Sequence, residues 1–177
     1  MDQKQKGLFY LNDGHYCKYN FVWNSRQIKL FRNLKYDPFV LGLPYNIRIP
    51  KKVSNKIILI GHGEEKSNVY EKTLRHFKLV YSLIDKNLFD VEYRPHAHES
   101  TKKPKKYFSK INNENKLNLL QDSKKIYIGF VSSLLYEASM HDNYVIGLDE
   151  SLFQVYLDFE YDISFKEKDY YQLNNYL

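Results

Sequence analysis

Between residues 56 and 148 the apolar positions alternate between short continuous runs and stripes of helical spacing. Lys56-Ile-Ile-Leu-Ile-Gly61 is a continuous apolar run, the pattern required of a strand buried on both faces, and it breaks into Gly61-His62-Gly63-Glu64. From Ser67 to Asn87, Tyr70, Leu74, Phe77, Tyr81, Ile84 and Leu88 recur at intervals of three and four, which predicts one amphipathic helix with Ser67 as its cap. Phe89 to Arg94 alternates and reads as a second strand, stopped by Pro95. One or two short helices are expected within 106–121. A third strand follows at Lys125–Phe130, then a helix at Leu134–Asp142, then a fourth strand at Tyr144–Leu148. A further helix is expected near 165–175.

This strand–helix alternation is the mark of an α/β domain with a mainly parallel, Rossmann-like sheet. Right-handed crossovers place the loops after Gly61, Arg94 and Phe130 along one carboxyl edge, where open α/β sheets bind ligands. Upstream, Leu8–Leu11 reads as a short strand broken by Asn12-Asp13-Gly14-His15, a turn signal. Pro38, Pro44 and Pro50 keep 24–54 irregular. The expected division is therefore 1–54, an upstream remnant and connector, and 55–177, the Rossmann-like domain.

Composition narrows the partners. The 177 residues carry 27 Lys and Arg against 21 Asp and Glu, a net charge of +6 that favours anionic partners. Lys and Tyr are dispersed without an RNP-like block, so nucleic acid is not an expected partner. Lys102–Lys106 is a basic, proline-containing loop that reads as solvated surface. Cys17 is the single cysteine, which leaves no disulfide framework and no cysteine-based zinc site and suits a reducing compartment. No apolar run approaches the roughly 20 residues needed to span a bilayer, and the opening residues do not read as a signal peptide. The expected location is the cytoplasm, with peripheral contact with the cytoplasmic face of the inner membrane left open.

Three loops carry candidate chemistry. Ser132 and Ser133 end an apolar run just before a helix, where a hydroxyl either caps the helix or joins its free amides in holding an anion such as phosphate. Gly61 permits close backbone approach, by a ligand or within a tight turn. In Arg94-Pro95-His96-Ala97-His98-Glu99, His96 can donate to a phosphate or act as a general acid, pair with His98 as a metal ligand, or serve a structural role. Glu137, one turn into the helix, either accepts from a ribose or base or stands as a solvated carboxylate. Asp13, in the upstream turn, is a structural turn residue or a carboxylate able to face the edge as a general base.

In chain order, Asn12-Asp13-Gly14, Ile-Leu-Ile-Gly61, Arg-Pro95-His96-Ala97 and Ser132-Ser133-Leu-Leu-Tyr-Glu137-Ala resemble the bacterial GT-B sialyltransferases. These comprise the lipooligosaccharide sialyltransferases of glycosyltransferase family 52 and the polysialyltransferases, which share an acidic-acidic-glycine motif, a His-Pro motif and a Ser-Ser or Ser-Thr motif. The resemblance covers roughly residues 8–150, and the serine block is its most specific part. It implies the C-terminal, donor-binding half of a GT-B fold and inverting, metal-independent transfer from a CMP-sugar donor, without a cofactor. The acceptor would be a surface glycan or glycolipid of lipopolysaccharide, lipooligosaccharide or capsule. By the resemblance Asp13 is the general base, His96 assists the departing phosphate, and Ser132 and Ser133 bind it; Gly61 and Glu137 join the expected donor-binding set from their places on the same edge. The motifs depart in two places: Asn-Asp-Gly has one acid fewer, and Pro95 precedes the histidine instead of following it. The chain begins almost at the acidic-glycine motif, so the expectation is a truncated or split enzyme lacking most of its acceptor domain. The same edge would also suit another CMP- or CDP-activated donor, Kdo or glycerol phosphate, or a noncatalytic nucleotide-binding remnant.

Overall fold

A computed structural model describes residues 21–22, 39–40, 48–62, 68–130, 132–148 and 161–177. The expected strand at 8–11, the turn bearing Asp13, Cys17, Gly63, Glu64 and the Ser67 cap lie outside these residues. Phe21–Val22 (β1) and Phe39–Val40 (β2) pair in parallel and belong to one unit. The second unit, which includes residues 48–148 and the C-terminal segment, carries the main sheet.

That sheet is an all-parallel, five-stranded, Rossmann-like α/β structure. Its strands are β3 (Val53–Ile60), β4 (Asp90–Arg94), β5 (Lys124–Gly129), β6 (Tyr144–Leu148) and β7 (Ile163–Phe165). They are ordered β4-β3-β5-β6-β7. The chain winds from β3 outward to β4, crosses back over β3 to β5, then proceeds outward on the other side. The winding therefore reverses between β3 and β5, the crevice where open α/β sheets take ligands. β3 starts at Val53, two residues before the expected domain boundary.

Register explains the two covered faces. Paired residues share a face, so Ile57 and Leu59 of β3 align with Val91 and Tyr93 of β4 and with Ile126 and Ile128 of β5. This face carries helix α1 (Asn68–Leu83) and a C-terminal 3-10 segment, Glu167–Asn175. Tyr70, Leu74, Phe77 and Ile84 of the expected stripe are buried, but Leu88 is 63% exposed. The helix stops at Leu83 because Asp85 forms a turn, its carboxylate accepting from Asn87 N at 2.8 Å and its carbonyl from Phe89 N at 3.0 Å. The opposite face carries α2 (Lys116–Gln121) and α3 (Ser133–Met140), which bury Leu119, Leu120, Leu135 and Ala138. Asn115 caps α2 by accepting from Leu117 N. α3 ends earlier than expected because Asp142 adopts a left-handed conformation at φ 57°.

Two features of the sheet escape pattern reading. β7 has only three residues, too few to show a period. The outer edge of β4 is covered by the crossover, where Tyr93 N donates to Lys110 O at 3.0 Å and Asn112 N to Tyr93 O at 2.8 Å.

Lys125 is buried at the amino end of β5, with Nζ donating to Leu119 O at 2.9 Å and Ser123 O at 3.3 Å. Burial lowers its pKa below the ordinary 10.5. The unfolded chain then binds more protons than the folded one between the two values, so this group adds stability as pH rises through that window. Relative to Lys125→Met, the wild type should gain melting temperature as pH rises toward the ordinary lysine value of 10.5. Parallel thermal unfolding curves check this, and a constant gap between the two proteins refutes it.

Candidate functional site

The carboxyl ends of β3, β4 and β5 form one edge of the sheet. With neighbouring strands about 4.8 Å apart, the ends of β4 and β5 stand roughly 10 Å from each other, flanking the end of β3. Gly61 continues β3 and donates its N–H to Arg94 O at 2.8 Å. A Cβ here would lie 2.6 Å from Glu99 Oε2, 2.6 Å from the Tyr93 hydroxyl and 2.9 Å from Arg94 O. Of the two readings of this glycine, close packing within the edge is thus the one the geometry displays.

The turn after β4 is organised by Glu99, which sequence reading passed over. Its carboxylate is buried and accepts from the hydroxyls of Tyr70 at 2.7 Å and Tyr93 at 2.9 Å and from His96 N at 3.0 Å. Burial, and then the adjoining carboxylate, hold the Tyr93 phenol well above its ordinary pKa, so it remains the donor. The His96 and His98 side chains are exposed, their ring centroids 5.6 Å apart. Among the described residues no group of three or more His, Cys, Asp or Glu is arranged to hold a metal ion.

The turn after β5 presents the serine pair. Ser132 is extended at φ −153°, ψ 143°, and its Oγ accepts from Leu134 N at 3.2 Å. Its hydroxyl is therefore the cap of α3. Ser133, the first helical residue, is exposed. The capping and anion-binding readings do not exclude each other, because a helix N-terminus has four amides without an intrahelical partner and the Ser132 cap takes only that of Leu134.

Glu137 is neither solvated nor open toward the edge. It is buried, and Lys116 Nζ, at the start of α2, sits 2.9 Å from Oε2 and 3.2 Å from Oε1. Arg94, at the end of β4, donates to Asn112 Oδ1 at 2.7 Å and Glu114 O at 2.8 Å, and burial lowers its pKa. Lys116 and Arg94 thus place positive charge near the edge, and neither was singled out from sequence because their roles depend on the crossover between β4 and β5. Lys116→Met should destabilise the fold by about 1–2 kcal/mol, since it leaves a buried carboxylate without its cation but removes a half-exposed partner. A double-mutant cycle with Glu137→Gln checks this, and a coupling near zero would contradict it.

Two open grooves, of about 550 Å³ and about 510 Å³, lie at the opposite end of the sheet. The first is lined by Val53, Asn55, Lys124, Asp142 and Tyr144, at the amino ends of the strands, so these two grooves and the candidate chemistry occupy different ends of the domain. Among the described residues no helix is long and apolar enough to cross a membrane. The chain matches no protein-family model, no curated protein and no solved structure.

Proposed function

We propose that this chain is the donor-binding part of a sialyltransferase-like glycosyltransferase and holds the phosphate of a CMP-sugar at the start of α3. The observation that carries this reading is the position of Ser132 and Ser133. They stand at the helix N-terminus beside the β3–β5 reversal, where helix amides and dipole favour an anion and strand topology favours a ligand. The resemblance supplies the donor class and the remaining roles. Asp13 takes the proton of an acceptor hydroxyl as that oxygen attacks the anomeric carbon. The bond from that carbon to the phosphate oxygen breaks, and His96 donates a hydrogen bond to the departing phosphate. Transfer goes to a surface glycan or glycolipid, by an enzyme working at the cytoplasmic face of the inner membrane.

Calorimetric titration with CMP, CMP-sialic acid, CDP-glycerol and cytidine tests the reading. Ser133→Ala is the informative variant because its hydroxyl is not the helix cap, whereas Ser132→Ala also costs about 1 kcal/mol of helix stability. Ser133→Ala should weaken CMP roughly three- to tenfold and leave cytidine unchanged. Equal loss for both ligands would remove the phosphate role, and no binding of CMP or CMP-sialic acid at millimolar concentration would sink the proposal. Tighter binding of CDP-glycerol would redirect it to glycerol phosphate transfer. Sialyl transfer to a galactose-terminated acceptor, abolished by Asp13→Ala, tests catalysis.

A further inference from the structure

We propose that Glu99 is a positioning residue of this edge, fixing the His96 turn against Gly61 at the end of β3; its bearing on transfer rests on the donor-site reading above. One carboxylate draws together groups from three elements. Oε1 accepts from the hydroxyls of Tyr70 on α1 and Tyr93 on β4, and Oε2 accepts from the backbone N–H of His96. The backbone closes the turn from the other side, with Glu99 N donating to His96 O at 2.9 Å. The His96–Glu99 turn is thereby bonded at both ends. The close approach at Gly61, where a Cβ would meet Oε2 at 2.6 Å, seats the same carboxylate against the end of β3.

Stability alone is a poor explanation for a carboxylate at this position. Glu99 is 7% exposed, and burying a carboxyl group costs more than burying an apolar side chain of similar size. An apolar residue could pack between Tyr70 and Tyr93, but it could not accept from the His96 amide. What the carboxyl oxygen adds is an acceptor that fixes the backbone beneath an exposed imidazole. Tyr70 and Tyr93 are themselves buried, so the carboxylate is held by stiff neighbours and transmits their position to the loop. Glu99 has no route to the donor of its own and acts through His96.

The test uses the full chain, isotopically labelled, comparing wild type, Glu99→Gln and Tyr127→Phe. The last removes a buried hydroxyl that donates to Leu119 O at 2.7 Å, on the other face of the sheet, and serves as a control for lost stability. Glu99→Gln should move the His96 amide resonance and abolish the CMP-induced shift of its imidazole. It should also weaken CMP about tenfold without weakening cytidine. Tyr127→Phe should lower the melting temperature and change none of these. Unmoved His96 resonances in Glu99→Gln, or the same losses in Tyr127→Phe, would overturn the inference. If the wild type fails to bind CMP while Glu99→Gln still displaces His96, the positioning role stands and the donor reading falls.

Discussion

Phe77→Ala should cost about 3–5 kcal/mol of folding stability, a large share of what a domain of this size possesses. Phe77 is fully buried on α1, with its ring edge-on to Tyr93 at 5.3–5.6 Å together with Phe130. Tyr93 belongs to β4, one residue before Arg94, and Phe130 directly follows β5, two residues before Ser132. One side chain therefore supports the roots of two of the three edge turns. Its removal loses both the transfer energy of a large aromatic and the packing of a rigid aromatic cluster that cannot collapse around the gap. Denaturant unfolding measures the loss. A change below about 1 kcal/mol would show that α1 does not pack on the sheet in this way.

Gly61→Ala is the second large effect, and it acts by excess and not by deficit. The added methyl meets the Glu99 carboxylate, the Tyr93 hydroxyl and the Arg94 carbonyl together, all below 3 Å. The carbonyl is backbone and the other two are held in a hydrogen-bonded cluster, so relief requires the β4 turn to move as a unit. The expected cost is about 2–3 kcal/mol, from overpacking and from weakened bonds to a charged acceptor. Adding Tyr93→Phe to Gly61→Ala should recover part of that loss, because one of the atoms the methyl meets is then gone. Strict additivity of the two substitutions would place the strain elsewhere.

The sheet was largely legible because its central strands are continuous apolar runs separated by a strong helical stripe. Four strands and their order along the chain follow from that pattern. What pattern could not supply was anything set by long-range contact. Leu88 matches the helical spacing, yet Asp85 turns the chain before it is reached. β7 is legible only through its partner: Asp162 N donates to Val145 O at 3.0 Å, and Asp162 Oδ2 accepts from Val145 N at 2.6 Å.

The site shows the same division. Ser132 was readable as a cap because the signal is local, a hydroxyl just ahead of a helix. Glu137 was assigned to a ligand or to solvent, and its salt bridge with Lys116 comes from a helix 21 residues earlier in the chain. Glu99 sits three residues beyond His96, but its significance depends on Tyr70, contributed by α1, and on the close approach of Gly61. A buried carboxylate surrounded by donors has no one-dimensional signature. The nearest hint is the pair of tyrosines that fall on inward-facing positions of a helix and a strand.

The proposed place of an anionic nucleotide is the carboxyl edge at the reversal of the sheet, and not the two open grooves at its amino end. Mapping backbone amide shifts during a CMP titration separates the two ends directly. The largest changes are expected at Ser133, Leu134, Gly61 and His96, with phosphate-free cytidine shifting Ser133 and Leu134 far less. Changes centred instead on Val53, Asn55, Lys124 and Tyr144 would contradict it.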